Sequence, residues 1–196
     1  PPTPCHFCPG GHASPGVGRG ECSSECRVQR RREPGMSSSR FSAFLILGGL
    51  DALGLRMDRR GGSADKCAKF LGAHPQVEAG AYAGLETSPW HERAKLYGGG
   101  KGYGSILAFD IKAPSGSTAK EAGQKFVEAL QLHSHVANIG DVRSLGIHPA
   151  SNTNSQLTAD EQASSGVRPG LVRLSVGLEN IEDILADLDL GFAAAK

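Results

Sequence analysis

From Val77 to the C-terminus, short runs of β-type residues alternate with segments of helical period, several of them opened by a capping residue. That alternation restricts the chain to a mixed α/β (α+β) domain, because a period of two and a period of 3.6 bury their apolar faces in different ways. Ser105–Lys112 reads as a strand carrying Ile106, Leu107, Ala108, Phe109 and Ile111. Val77–Tyr82, Val136–Ile139 and Leu171–Leu178 read as further strands, giving a mixed sheet with flanking helices. Ser117 and Thr118 can cap a helix containing Phe126, Val127, Ala129, Leu130 and Leu132. Thr158 and Glu161 have the spacing of a capping box for a short helix. Asn180 caps a final helix with Ile181, Ile184, Leu185, Leu188 and Phe192 on one face, and Leu145–Gln156 reads as a loop.

Upstream of this region lies a long helical pattern. The Ser37–Ser39 cluster offers a cap, and apolar residues follow at Phe41, Phe44, Leu45, Leu50, Leu53, Met57, Ala64, Cys67, Ala68 and Leu71, mostly three or four apart. His74-Pro75 ends the pattern, since a residue before proline is pushed out of the helical region. Unbroken, such a helix is about 50 Å long. Gly61-Gly62 lies inside it, and each glycine costs about 1 kcal/mol there, so a kink or break is expected at that pair.

Residues 1–35 follow neither period. They hold six of the eleven prolines, four of the five cysteines and the run Arg30-Arg31-Arg32. With so little apolar surface to offset ordering entropy, they are read as a disordered tail. Two other readings stay open. Cys5, Cys8, Cys22 and Cys26 form two close pairs that can complete a tetrahedral zinc site, making the chain an interaction module. The same Pro, Gly, Arg, Ser and Cys density also results from translating a GC-rich gene in the wrong frame.

Composition excludes several classes. At 39% hydrophobic the chain has a core to bury, so wholesale disorder is out. A net charge of +1 gives no general attraction to nucleic acid or to an anionic membrane, and no partner of either kind is expected. No apolar run approaches the roughly 20 residues of a membrane span, and no secretory signal opens the chain, so a cytoplasmic location is expected. The glycine loop 98–104 has Gly102 where a phosphate loop needs Ser or Thr, and it precedes a strand; it reads as a turn. His133 and His135 stand two apart, on one face if the segment is a strand, but no carboxylate or thiolate supports them at a metal-binding spacing.

The strand at 171–178 carries the strongest chemical signal. Val172, Leu174, Val176 and Leu178 share one face, and Arg173, Ser175 and Gly177 share the other. Its two readings are a solvated sheet face and a carboxylate clamp, since a guanidinium on a rigid strand can hold a carboxylate through two parallel hydrogen bonds.

Residues 37–196 resemble the C-terminal part of the Cys/Met-metabolism family of pyridoxal-phosphate (PLP) enzymes, in its O-acetylhomoserine sulfhydrylase branch. The matching stretches are 41–45, Gly49-Leu50-Asp51-Ala52-Leu53, Leu55-Arg56-Met57, Ser88-Pro89-Trp90-His91, 132–141, Arg143-Ser144-Leu145, Ile147-His148-Pro149-Ala150-Ser151, 173–179 and 183–188. The resemblance implies the smaller C-terminal domain of a fold-type I subunit, with the long helix leading into it. It implies that Arg173 binds the substrate α-carboxylate and that Ser144 assists. The implied parent enzyme replaces the acetate of O-acetylhomoserine by sulfide or a thiol, uses PLP as cofactor and forms a homo-oligomer. The implied Schiff-base lysine belongs to an earlier domain, so no catalytic residue is assigned here and the chain alone is expected to be inactive. Ser63-x-x-Lys66 sits in the long helix and is read as coincidence. The chain departs from the family at Asn154, where His is usual, and at Ala83, where Pro is usual.

Overall fold

A computed structural model describes residues 38–98 and 100–196. The chain divides into two units, at Asp51/Ala52. Cys5, Cys8, Cys22 and Cys26, and with them the zinc and tail readings, lie outside the described residues.

The described part of the first unit is helix α1 (Arg40–Asp51), with the Ser42 amide donating to Ser39 Oγ at 3.0 Å as its cap. The second unit opens with α2 (Leu53–Ala73). The helical run is therefore interrupted at Ala52 (φ −99°, ψ 7°) and not at Gly61-Gly62, which is interior to α2. Packing decides the second point. Arg60, Ser63, Ala64, Cys67, Ala68 and Leu71 form one buried face around the glycines, and burial outweighs their propensity cost. Nothing local explains the interruption at Ala52, since alanine is the best helix former.

The remaining elements are β1 (Val77–Ala81), α3 (His91–Gly98), β2 (Ile106–Ile111), α4 (Ala119–Ala129), β3 (Leu145–Ile147), α5 (Ala159–Ser164), β4 (Leu171–Ser175) and α6 (Ile181–Ala194). The strands form one antiparallel sheet in the order β1-β2-β4-β3. The expected mixed sheet is thus antiparallel through its strands, and only the isolated bridge Ser134–Leu145 is parallel. Leu107 pairs with Leu174 and Phe109 with Val172, so these four share a face. They are buried with Phe126 of α4 and Ile184, Leu188 and Phe192 of α6. Phe126 meets Phe109 edge-on at 5.5 Å and Phe192 at 4.8 Å, a favoured aromatic geometry. The expected capping box is present at Thr158/Glu161, and the expected cap at Thr118 proves to be a second box with Glu121.

Five local expectations change. Val136–Ile139 is not a strand. Its amides bond locally, Val136 to the Ser134 carbonyl at 3.0 Å and Asn138 to the Val136 carbonyl at 3.1 Å, leaving no ladder. Leu145–Ile147, placed in a loop by its short length and central glycine, is the edge strand β3. The strand expected over Leu171–Leu178 ends at Ser175, and helix α4 ends at Ala129, before Leu130 and Leu132. Asn180 occupies the N-cap of α6, but its side chain makes no capping bond.

The turn after α4 is held by Asp187 of α6. Its Oδ1 accepts the Gln131 and Leu132 amides at 2.7 and 3.0 Å, and its Oδ2 accepts the His133 amide at 3.0 Å and His133 Nδ1 at 2.7 Å. His133 thus sits in a buried pair and not on a strand beside His135. Burial acts to raise the Asp187 pKa, but the bonds from His133 and from the 131–133 backbone prevail and hold it below the ordinary carboxylate value. A lowered carboxylate pKa stabilises the fold above the unfolded-state pKa, and this contribution is lost as pH falls through the folded-state value. Asp187→Ala leaves these donors buried and unmatched. We expect a loss of about 3 kcal/mol in urea unfolding at pH 7, and a smaller difference from wild type below about pH 4.

Candidate functional site

The centre of β4 presents Arg173 on the face opposite Leu107, Phe109, Val172 and Leu174. Ala108 of β2 pairs with it on one side and Ile147 of β3 on the other. A small and an apolar neighbour leave the guanidinium without a carboxylate beside it in the sheet. Its Nη2 donates to the Asn138 carbonyl at 3.3 Å. The side chain is half-buried; its Nε is enclosed and has no hydrogen-bond partner among the described residues. An unmatched buried N–H costs about 1–3 kcal/mol, so this fork is poised to take an acceptor. His133 Nε2 is likewise buried without a partner, but its ring is already committed to Asp187.

Ser144 is fully buried immediately before β3. Its hydroxyl donates to Glu179 Oε2 at 2.8 Å and accepts the Gly177 amide at 2.9 Å, while its own amide donates to Glu179 Oε1 at 2.7 Å. The fold brings Ser144 and Arg173 to adjacent strands, and no hydrogen bond joins them. The Ser144 donor is spent on Glu179, so this side chain braces the exit of β4.

Other polar groups on these elements are internally matched. Arg168 Nε donates to Asp110 Oδ1 at 2.9 Å, and Arg168 Nη2 lies against Asp110 Oδ2. His148 is fully buried, with Nδ1 at 2.8 Å from Ser151 Oγ and Nε2 at 2.7 Å from the Pro169 carbonyl. A carbonyl can only accept, so the proton is on Nε2, and burial lowers the ring's pKa and keeps it neutral. His135 is exposed, with its Nε2 at 3.2 Å from Asn152 Nδ2. Among the described residues no group of three or more His, Cys, Asp or Glu side chains could hold a metal. Gly100, Gly102 and Gly104 have positive φ (73°, 122° and 81°), as expected of a glycine turn entering β2.

A Schiff-base cofactor needs an enclosed lysine. All eight lysines of the chain are described, and all are exposed. Ser63 is buried while Lys66 is exposed, so they do not form a paired nucleophile and base. The Cys67 thiol is pushed up to about 12 by burial and is inert at neutral pH.

A sequence profile for Cys/Met metabolism PLP-dependent enzymes matches residues 17–193. The chain belongs to that family. It is 49% identical to the O-acetyl-L-homoserine sulfhydrylase of Leptospira meyeri over 165 residues, 84% of this chain and 36% of that protein. It is 47% identical to the Corynebacterium glutamicum enzyme of the same name over 169 residues, 86% of this chain and 37% of that one. Among solved structures it resembles an O-acetylhomoserine (thiol)-lyase from Campylobacter jejuni that contains N'-pyridoxyl-lysine-5'-monophosphate. The TM-score is 0.77 at 33% identity, covering 87% of this chain and 39% of that one. It also resembles a cystathionine gamma synthase from Xanthomonas oryzae solved with aminoacrylate and cysteine, at a TM-score of 0.70 and 36% identity, covering 82% and 40%. The fold is that of PLP-dependent fold-type I enzymes, and the chain spans little more than a third of the length of the curated relatives it matches.

Arg60, Asn138, Glu179 and Asp187 were not singled out from the sequence. Arg60 did leave a trace: it extends the stripe of Ala64, Cys67, Ala68 and Leu71 back by one turn, where a charge is out of place. Glu179 and Asn138 left none, because their bonds join segments far apart in the chain.

A Cβ on Gly177 would lie 2.3 Å from Glu179 Oε2, 2.4 Å from the Ser144 amide nitrogen and 2.5 Å from the Arg143 carbonyl carbon. Two of these neighbours are backbone and cannot swing away. We expect Gly177→Ala to cost about 1–3 kcal/mol in thermal or urea unfolding. Gly62→Ala, in open space on α2, should be neutral or stabilising.

Proposed function

We propose that this chain carries the substrate-carboxylate clamp of a PLP-dependent enzyme that replaces the acyl group of an O-acylated homoserine with sulfide or a thiol. The observation that carries this reading is the buried, unpartnered Nε of Arg173 on a strand paired along both edges. The names of its relatives support the substrate class.

In this reading the α-carboxylate of the amino acid completes the Arg173 fork. Nε and a terminal nitrogen each donate one hydrogen bond, and the negative charge meets the planar cationic guanidinium. The sheet fixes the Cα–Cβ direction of Arg173, so the clamp orients the substrate as well as binding it. Ser144 assists by holding Glu179 and the Gly177 amide, which fixes the backbone just beyond the clamp. When bound, PLP supplies the electron sink for the bond changes at the substrate carbons. The lysine that would hold it is proposed to lie outside these 196 residues, since every lysine here is exposed.

Titration with L-homoserine, followed by ¹⁵N NMR of the arginine side chains, tests the clamp. We expect a saturable shift at Arg173 Nε. Arg173→Lys keeps the charge but loses the fork, and should weaken binding at least tenfold, about 1.4 kcal/mol. An Arg173 Nε signal that stays still at saturating amino acid overturns the clamp. Turnover of O-acetylhomoserine with sulfide by the purified chain plus PLP overturns the placement of the lysine elsewhere.

A further inference from the structure

Arg60 is a charged side chain on the buried face of α2, only 4% exposed. It forms no ion pair among the described residues. Its Nε donates to the Val176 carbonyl at 2.8 Å, and its Nη2 donates to Ser175 Oγ at 3.2 Å. A buried guanidinium needs good bonds to offset its desolvation, and a planar fork on two adjacent acceptors supplies them where a lysine could not.

The two acceptors sit at one point of the fold. Ser175 is the last residue of β4, and Val176 is the first beyond the strand. Arg173 lies two residues earlier, on the same face as Ser175. The Val176 amide is bonded to the Ser105 carbonyl at 2.9 Å, so its carbonyl is the group left for Arg60. Immediately after it, the Gly177 amide is taken by Ser144 Oγ, and Glu179 holds Ser144. The exit of β4 is therefore gripped from two sides, by α2 through Arg60 and by the start of β3 through Ser144.

We infer that Arg60 is a positioning residue for the Arg173 clamp, anchoring Ser175 and Val176 to α2 so that the strand cannot shift along its axis beneath Arg173. This rests on the carboxylate-clamp reading of Arg173. It assigns α2, which contributes no group to the clamp, a part in substrate orientation.

The test is Arg60→Lys in the full chain, which keeps the cation and removes the fork. The first readout needs no ligand: hydrogen exchange at Arg173 Nε–H against exchange at the Leu174 amide. We expect Arg173 Nε–H to exchange about tenfold faster while Leu174 is unchanged, a pattern that general loosening of the sheet would not give. The second readout is L-homoserine affinity, expected to fall about tenfold. Arg173 exchange and affinity both within twofold of wild type overturn the inference. So does equal acceleration at Leu174, which marks a purely structural role. If the wild-type chain does not bind L-homoserine, the clamp reading fails, and the exchange ratio alone still decides whether Arg60 holds Arg173. Should Arg60→Lys fail to fold, Ser175→Ala removes one of the two acceptors and leaves the cation in place. A threefold or larger rise in Arg173 Nε–H exchange over Leu174 then supports the inference, and no rise overturns it.

Discussion

Strand β4 is hydrogen-bonded along both edges, to β2 and to β3, and its inner face is packed under α4. Those two constraints hold the domain together. The inner residues Val172 and Leu174, with Val176 just beyond, are fully buried, and they join Phe109, Phe126, Phe192 and Leu188 in one core. Burying an aliphatic side chain of this size stabilises by about 1.5–3 kcal/mol, so the inner face sets the register. Once it is set, alternation leaves no freedom on the outer face. Arg173 must stand between Ala108 and Ile147, because a slip of one residue would bury the arginine and expose the core.

Most buried polar groups inside the second unit follow one rule, while Asp110 Oδ2, His133 Nε2 and Arg173 Nε are left without a hydrogen-bond partner among the described residues. Asp187, His148, Ser144 and Arg60 are buried, and their bonds tie segments together: α6 to the turn after α4, the loop after β3 to the turn before β4, β3 to the exit of β4, and α2 to β4. Each meets its desolvation cost internally. Arg173 does not, since its Nε is enclosed and unmatched.

Secondary structure was legible wherever a periodic pattern came with its own terminator or cap. Both capping boxes are of this kind, as is the stop of α2 at His74-Pro75. The reading went astray where pairing decided the outcome. Val136–Ile139 has strand composition but no neighbour to pair with, while Leu145–Ile147 is too short and glycine-centred to signal a strand but lies beside β4. Gly61-Gly62 looked like a break only because local propensity was weighed without the buried face around it. The interruption at Ala52 left no trace, for alanine carries no preference against helix.

The amino-acid sequence by itself determined the α/β class, the family, the burial alternation of β4 and the candidacy of Arg173. All of these rest on residue type and spacing within single segments. Only the tertiary structure decided that the Arg173 Nε lacks a partner, that the Ser144 hydroxyl is spent on Glu179, and that an arginine from α2 grips the end of β4. Each of these depends on which atoms meet across separations of 33 to 116 residues, and no local pattern encodes that.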